Sequence, residues 1–391
     1  MPEKVAEFNS EVIVLGLGVM GAAAALALAR RGRRVVGLEQ FAIGHDRGSS
    51  HGRTRVIRKA YYEHADYVPL LRRAYEMWYD LEQRSGRHLF TECGVLSIGR
   101  AEGEVVPGVI RAAQEHNLAV EHLGAGDLRR RFPMFRFGDE YTAVLERHAG
   151  FLHVEDSLRT LAQEARRLGA DLRENEPALA WEVNGNGVVV TTARGRHRAE
   201  QLVLTAGPWA GHWLGHLDWP LVVLRKVVLW TIPKEPSLFT RHRFPIYLAE
   251  VQEASGPPAV YYGFPLLGPP GQKVARHDGG DVVVDPAHVN RSLAPGEEAD
   301  CRGFLREHLP QADGPIAQAI VCLYTVTPDR HFILDLHPDH ANVALAAGFS
   351  GHGFKFAPVV GEIMADLLDT GRTSLPTGLF HLRRFQSPGV T

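Results

Sequence analysis

Cysteine is scarce in this chain: Cys93, Cys301 and Cys322 are the only three in 391 residues. An odd count with no metal-type spacing excludes a disulfide framework and a cysteine-based metal centre, and it predicts a reducing, cytoplasmic setting. A surplus of either charge is also missing. The 43 Lys and Arg against 45 Asp and Glu leave a formal charge of −2, so nothing electrostatic calls for nucleic acid or a membrane surface as partner. No run of about 20 apolar residues occurs, and no membrane span is predicted. The opening MPEKVAEFNS is polar and predicts no signal peptide. Internal repeats and low-complexity tracts are absent as well.

What is present is an ordinary globular composition, 45% apolar and 23% charged, in a chain long enough to predict two domains. The clearest segment is EVIVLGLGVMGAAAALALARRGRRVVGLEQ. It reads as a buried strand over 12–15, a GxGxxG turn at Gly16, Gly18 and Gly21, an alanine-rich helix over 20–31, a stop at Gly32, and a second strand over 34–38 ending in Glu39. Glycines let the backbone approach a pyrophosphate, the helix start offers free N–H groups, and Glu39, 18 residues after Gly21, is placed to accept ribose hydroxyls.

Helical spacing recurs over 67–84 and 157–168. A hairpin is expected around 184–187, a turn at 194–195, a buried strand over 201–205, strand-like runs through 221–284, and a closing helix over 359–368. Three strands run into glycine in the same way, at 12–16, 201–207 and 342–348. They predict one nucleotide-binding domain assembled from separate stretches of chain, with a second domain threaded between them. His337 and His340, in HPDH, are expected on the surface or in loops.

After Glu39 a simple nicotinamide-binding fold would continue into a helix. Here the chain reads FAIGHDRGSSHGRTRVIRKAYYEHADY, with Arg53, Arg55 and Arg58 within six residues. Near the end, GFSGHGFKFAP sets Lys355 among phenylalanines and glycines, where an ammonium needs a partner.

Together, GSSHGRTRVIR, YYGFP, VCLYTVTPDRHFILDLHP and AAGFSGHGFKF resemble the monomeric sarcosine oxidase and N-methyltryptophan oxidase family of D-amino-acid-oxidase-like flavoproteins, from about residue 10 to about residue 372. The resemblance implies an α/β (α+β) fold: a glutathione-reductase-type FAD domain from residues 9–88, 150–218 and 325–375, and a catalytic domain on an antiparallel sheet from 89–149 and 219–324. It implies FAD tethered through Cys322, and cofactor contacts at Gly16, Gly18, Met20, Gly21, Glu39, Ser50, His51, Thr54, Arg55, Gly207, Gly348, Gly351, Gly353 and Lys355.

It further implies that Arg58 and Lys355 clamp the substrate carboxylate, that Lys273 activates dioxygen, and that His277, Tyr262 and Tyr324 line the amine. The expected partners are a small secondary amine bearing a carboxylate and molecular oxygen, acting on a monomer, with no metal, nucleic acid or membrane. The expected reaction is oxidative demethylation of sarcosine or a related N-methyl amino acid. The alternatives are a bulkier amine such as N-methyltryptophan, pipecolate or L-proline, a flavin dehydrogenase serving another acceptor, and a nicotinamide dehydrogenase or a non-catalytic nucleotide-binding module. Departures from the family pattern include Arg53 where an acid is expected, two prolines before Lys273, and the stretch 249–260 near the pocket entrance.

Overall fold

The computed structural model describes residues 7–214, 219–253 and 256–385, with side chains from residue 9 onward; part of the 249–260 stretch and the two chain ends lie outside them. Four sheets organise the described residues. Asp171–Arg173, Val35–Leu38, Val12–Leu15, Gln201–Leu204 and His340–Ala347 pair in parallel, in that order, and Ile333–His337 closes the sheet antiparallel. The inner strands are buried along their length, as parallel strands covered on both faces must be. On one face lie the helices Val19–Arg30, Val154–Arg167 and Ala357–Thr370, with Tyr67–Ser85 outside them. The first helix is nearly all alanine and leucine, so its partners come close: a Cβ on Gly361 of the closing helix would lie 2.5 Å from Ala23 O.

The second large sheet has nine strands and is mainly antiparallel. Val222–Thr231 and Ile316–Val326 form its longest ladder. Gln272–Arg276, Ala259–Gly263 and Ile246–Val251 follow, and then Val95–Arg100 joins in parallel. One face packs on the helix Ala299–His308 through Tyr247, Tyr261 and Phe304. The other face, with Trp230, Ala275, Cys322 and Tyr324, turns toward the parallel sheet. A three-stranded sheet, Thr54–Ile57, Gly150–His153 and Phe90–Glu92, bridges the two.

The first helix, the hairpin around Gly185 and the closing helix match expectation within two residues at each end. Two corrections follow. The basic loop after Glu39 contains the strand Thr54–Ile57, because alternating Arg55 and Val56 can pair with Leu152 and Phe151. His337 is 2% exposed and ends a strand, held between Trp181 and His340, so it is a packed aromatic and not a surface residue.

Candidate active site

A cavity of 320 Å³ runs along the carboxyl ends of the parallel strands, where such sheets bind ligands. Gly16, Gly18, Met20, Glu39, Ser50, Arg55, Gly207, Tyr324, Gly348, Gly351 and Gly353 line it, all sequence-derived. Gly16 needs its glycine twice over: φ is +88°, and a Cβ would sit 2.7 Å from Thr205 O. Gly21 lies behind the wall, where a Cβ would collide with Gly16 O, so it sets the turn rather than the surface. Glu39 accepts from Leu17 N at 2.8 Å and Phe41 N at 3.0 Å. Gly18 caps the first helix without a side chain, and only Ser50 Oγ reaches in, accepting from Val19 N at 3.2 Å.

The far end of the cavity is glycine-walled for a steric reason: a Cβ on Gly351 would strike the Tyr324 ring, and one on Gly353 the Phe349 ring. A buried polar atom without a partner remains there, Thr325 Oγ1 on the wall. An elongated space with a bare helix start and an acid at one end and an unpaired hydroxyl at the other fits FAD. Gly16, Gly18, Met20, Glu39 and Ser50 would hold its dinucleotide part, and His51, Arg55, Tyr324 and Gly351 would surround its ring. The sequence did not single out Ser49, His45 or Trp209, which also line the cavity; His45 and Trp209 both pack against the Phe41 ring, a contact only the fold creates.

Cys322 is 2% exposed. Arg55 Nη2 lies 3.5 Å from its Sγ, and Ser49, on the cavity wall, accepts a second bond from Arg55 at 2.8 Å. Burial opposes ionisation of this thiol, but Arg55, His51 and Lys273 together outweigh it and bring the pKa down to about 6. Cys93 and Cys301 are pushed up to about 12 by burial. One cysteine of three is therefore a thiolate at neutral pH.

Lys273 is 3% exposed and donates to Gly52 O at 2.8 Å and Thr54 O at 2.9 Å. Thr54 thus serves Lys273 rather than lining the cavity. Burial, reinforced by Arg55, lowers the Lys273 pKa well below that of an ordinary lysine. His277 meets Tyr262 edge to face, with ring centres 6.3 Å apart, and lies tilted against Tyr324 at 5.8 Å. Burial pushes the imidazole down to about 3 and raises both phenols. At neutral pH all three are uncharged.

Arg58 and Lys355 come together around Tyr61. The guanidinium lies 4.3 Å from the ring centre, and Lys355 Nζ donates to the phenol oxygen at 3.1 Å and to His352 O at 2.6 Å. Burial, with Arg58 adding repulsion, pushes Lys355 down to about 7. Arg58 donates through Nη2 to both oxygens of Glu63, at 2.9 and 2.8 Å; burial works against its charge, and Glu63 more than restores it. Sequence reading missed Glu63, which YYEHADY had carried five residues after Arg58. The clamp residues are not on the cavity wall themselves, but their neighbours Gly351, Gly353 and Phe354 are.

Comparison with known proteins places residues 11–367 in the family described as FAD dependent oxidoreductase. The chain is 42% identical over 378 residues to the monomeric sarcosine oxidase of Streptomyces avermitilis, covering 96% of this chain and 97% of that one. It is 35% identical over 376 residues to the N-methyl-L-tryptophan oxidase of Salmonella agona, covering 96% and 99%. Among solved structures, the open form of NikD, an unusual amino acid oxidase essential for nikkomycin biosynthesis, superposes with a TM-score of 0.84 at 27% identity, over 96% of this chain and 97% of that one.

Proposed function

The chain belongs to the FAD-dependent oxidoreductase family, and on that premise we propose that it oxidises the N-methyl group of sarcosine or a related N-methyl amino acid. One amine, one dioxygen and one water give the primary amine, formaldehyde and hydrogen peroxide. Bound FAD supplies a two-electron acceptor for the hydride equivalent of the methyl carbon and delivers the electrons to dioxygen.

The residues of the chain do the rest. Arg58 offers a planar fork and Lys355 a point charge to the substrate carboxylate, which must displace Glu63 from the fork. His277, Tyr262 and Tyr324 wall the amine with uncharged groups, so that it can shed its proton before oxidation. Lys273 supplies a held amine that the anion formed as dioxygen is reduced would keep protonated, and whose charge would in turn stabilise that anion. Cys322, the one ionised thiol, would hold FAD as a thioether. We assign residues 9–88, 150–218 and 325–375 to the cofactor and 89–149 and 219–324 to the substrate; the make-up of the two large sheets supports this division, while the three-stranded sheet takes Thr54–Ile57 and Gly150–His153 from one part and Phe90–Glu92 from the other. Three unpaired cysteines suit a cytoplasmic enzyme, and the name of the Streptomyces relative supports a monomer.

The observation that carries this reading is the buried Arg58–Tyr61–Lys355 group next to the Gly351–Phe354 wall. Its test is anaerobic mixing of the holoprotein with sarcosine, other N-methyl amino acids, pipecolate and L-proline. Bleaching of the flavin, with formaldehyde from the N-methyl substrates and one peroxide per turnover in air, is the expected result. No bleaching by any of them ends the proposal, and bleaching without peroxide makes the enzyme a dehydrogenase. Arg58→Ala is expected to lower kcat/KM by about ten- to a hundredfold, the worth of a charge-assisted hydrogen bond.

A further inference from the structure

The cavity that fits FAD has a mouth, and two separate parts of the chain form its lips. Asp285, Ala287 and His212 line the cavity and are exposed at the same time; a residue that does both stands at the opening. His212 belongs to the short helix Ala210–Leu214, just after the glycine turn of the parallel sheet. Asp285 and Ala287 come from the other half of the molecule. They lie between the strand Asp281–Val283, at the edge of the nine-stranded sheet, and the helix Ala299–His308. This stretch is a strap that leaves one large sheet and reaches the cavity of the other.

Two arginines of unequal grip hold the strap. No residue from 281 to 300 is buried, and Val284 is 97% exposed, so apolar packing does little to fix its place. Its tip shapes itself: the Asp285 carboxylate accepts from Ala287 N at 2.8 Å and meets His288 Nδ1 at 2.6 Å. At the root, the buried Arg225 donates to Asn290 O and Ser292 O, both at 2.8 Å, and pairs with Glu297. That anchor ties the strap to its own sheet. The other tie goes to the cofactor side. Arg291 donates to Asp46 O at 2.9 Å and Arg47 O at 2.6 Å, in the loop whose Gly44, His45, Gly48, Ser49 and Ser50 wall the cavity.

Resting on FAD as the ligand of this cavity, we infer that residues 284–292 form a gate over the cofactor, with Arg225 as its fixed anchor and Arg291 as its latch. Glu39 and Tyr324, toward the two ends of the space, are 4% and 9% exposed. Both ends are therefore closed, and a dinucleotide that fills the space from one to the other has to enter through the mouth between His212 and Asp285. The strap stands in that mouth. It swings aside as a unit, because its tip is held by its own hydrogen bonds and its root by Arg225. It closes when Arg291 takes up the two carbonyls of the cofactor loop again, which brings Asp285 and Ala287 back onto the cavity wall.

The experiment follows FAD and not turnover. Flavin-free protein from riboflavin-starved cells is mixed with FAD, and uptake is read as quenching of tryptophan fluorescence, since Trp209 and Trp213 line the cavity. A Cys322→Ala background keeps binding reversible. Arg291→Gln is expected to raise the association and the dissociation rate constants each about tenfold, the worth of one charge-assisted hydrogen bond, while Kd moves less than about threefold. A gate shows in both rates, whereas a plain contact with the cofactor shows in dissociation alone; a rise in dissociation alone, or no change in either rate, overturns the inference. Trypsin tests the protein without substitution. Cleavage after Arg291 is expected to be at least about tenfold slower in the holoprotein than in the flavin-free protein, with cleavage after Arg87, exposed and not on the cavity wall, unchanged. Equal cleavage after Arg291 in both forms also overturns the gate. No uptake of FAD by the parent protein would refute the cofactor reading and the gate with it; uptake with both rates unaltered by Arg291→Gln refutes the gate alone.

Discussion

Single residues here act through the charges set around them. Cys322, Cys93 and Cys301 are all shielded from solvent to a large degree, yet only Cys322 has Arg55, His51 and Lys273 at hand. The apoprotein should therefore show one thiolate titrating near pH 6 by ultraviolet absorbance, missing in Cys322→Ala and moved upward by about one unit or more in Arg55→Met. Acid precipitation of the holoprotein should leave a yellow pellet, and that of Cys322→Ala a colourless one; a yellow pellet from the variant would place the link elsewhere. Lys355 gives a pH dependence. Its pKa, about 7, lies below that of a free lysine, so the ammonium is present below pH 7 and is lost as the pH rises through it. Arg58 stays charged throughout. Affinity for a simple carboxylate such as pentanoate should fall about tenfold between roughly pH 6 and pH 9, and Lys355→Met should flatten the curve. A flat curve in the parent protein would remove Lys355 from the clamp.

At the level of elements, legibility followed locality. The strand–glycine–helix unit over 12–38 could be read outright, because its glycines, apolar strands and helix period lie side by side in the chain. The closing helix and its glycines were legible for the same reason. The nine-stranded sheet was not, since the pairing of Val222–Thr231 with Ile316–Val326 joins segments about ninety residues apart and neither run states its register. Glu63 was overlooked because an acid in a polar loop carries no local signal; only the fold brings it onto Arg58. His337 was misjudged because HPDH looks like a loop until Trp181 is folded over it. The tight contact between the first and last helices is a local feature with a global effect. Gly361 sits 2.5 Å, measured from an added Cβ, from Ala23 O and 2.6 Å from Ala23 C, backbone atoms that cannot step aside. Gly361→Val should destabilise the protein by about 1–3 kcal/mol and lower the melting temperature by several degrees. A melting curve that overlays the parent would mean that the helices can part freely.

Across the whole molecule, Lys273 is a place where the nine-stranded sheet meets the three-stranded one. It stands on the nine-stranded sheet, and its Nζ is held by Gly52 O, Thr54 O and Thr54 Oγ1, on the chain that leads from the cofactor loop to Arg58. Phe264 and Trp230 give it ring faces at 4.8 and 5.4 Å. Such a lysine has two possible uses, as a clasp between the halves or as a charge kept for an anion, and they predict different kinetics. A clasp, once cut, loosens Thr54, Arg55 and Arg58 together, so substrate oxidation and flavin reoxidation should suffer alike. A kept charge matters only when dioxygen takes an electron, because the proposed oxidation of the amine runs through neutral walls. Lys273→Met fills the space without the charge. Stopped-flow measurement should find reoxidation slowed by about a hundredfold or more, the range seen when one preorganised donor is removed from a developing anion, with anaerobic reduction slowed less than about tenfold. Retention of the yellow pellet in the same variant would show that the Cys322 end of the site has not come apart. Equal losses in both half-reactions would make Lys273 a structural clasp and leave dioxygen activation to another group.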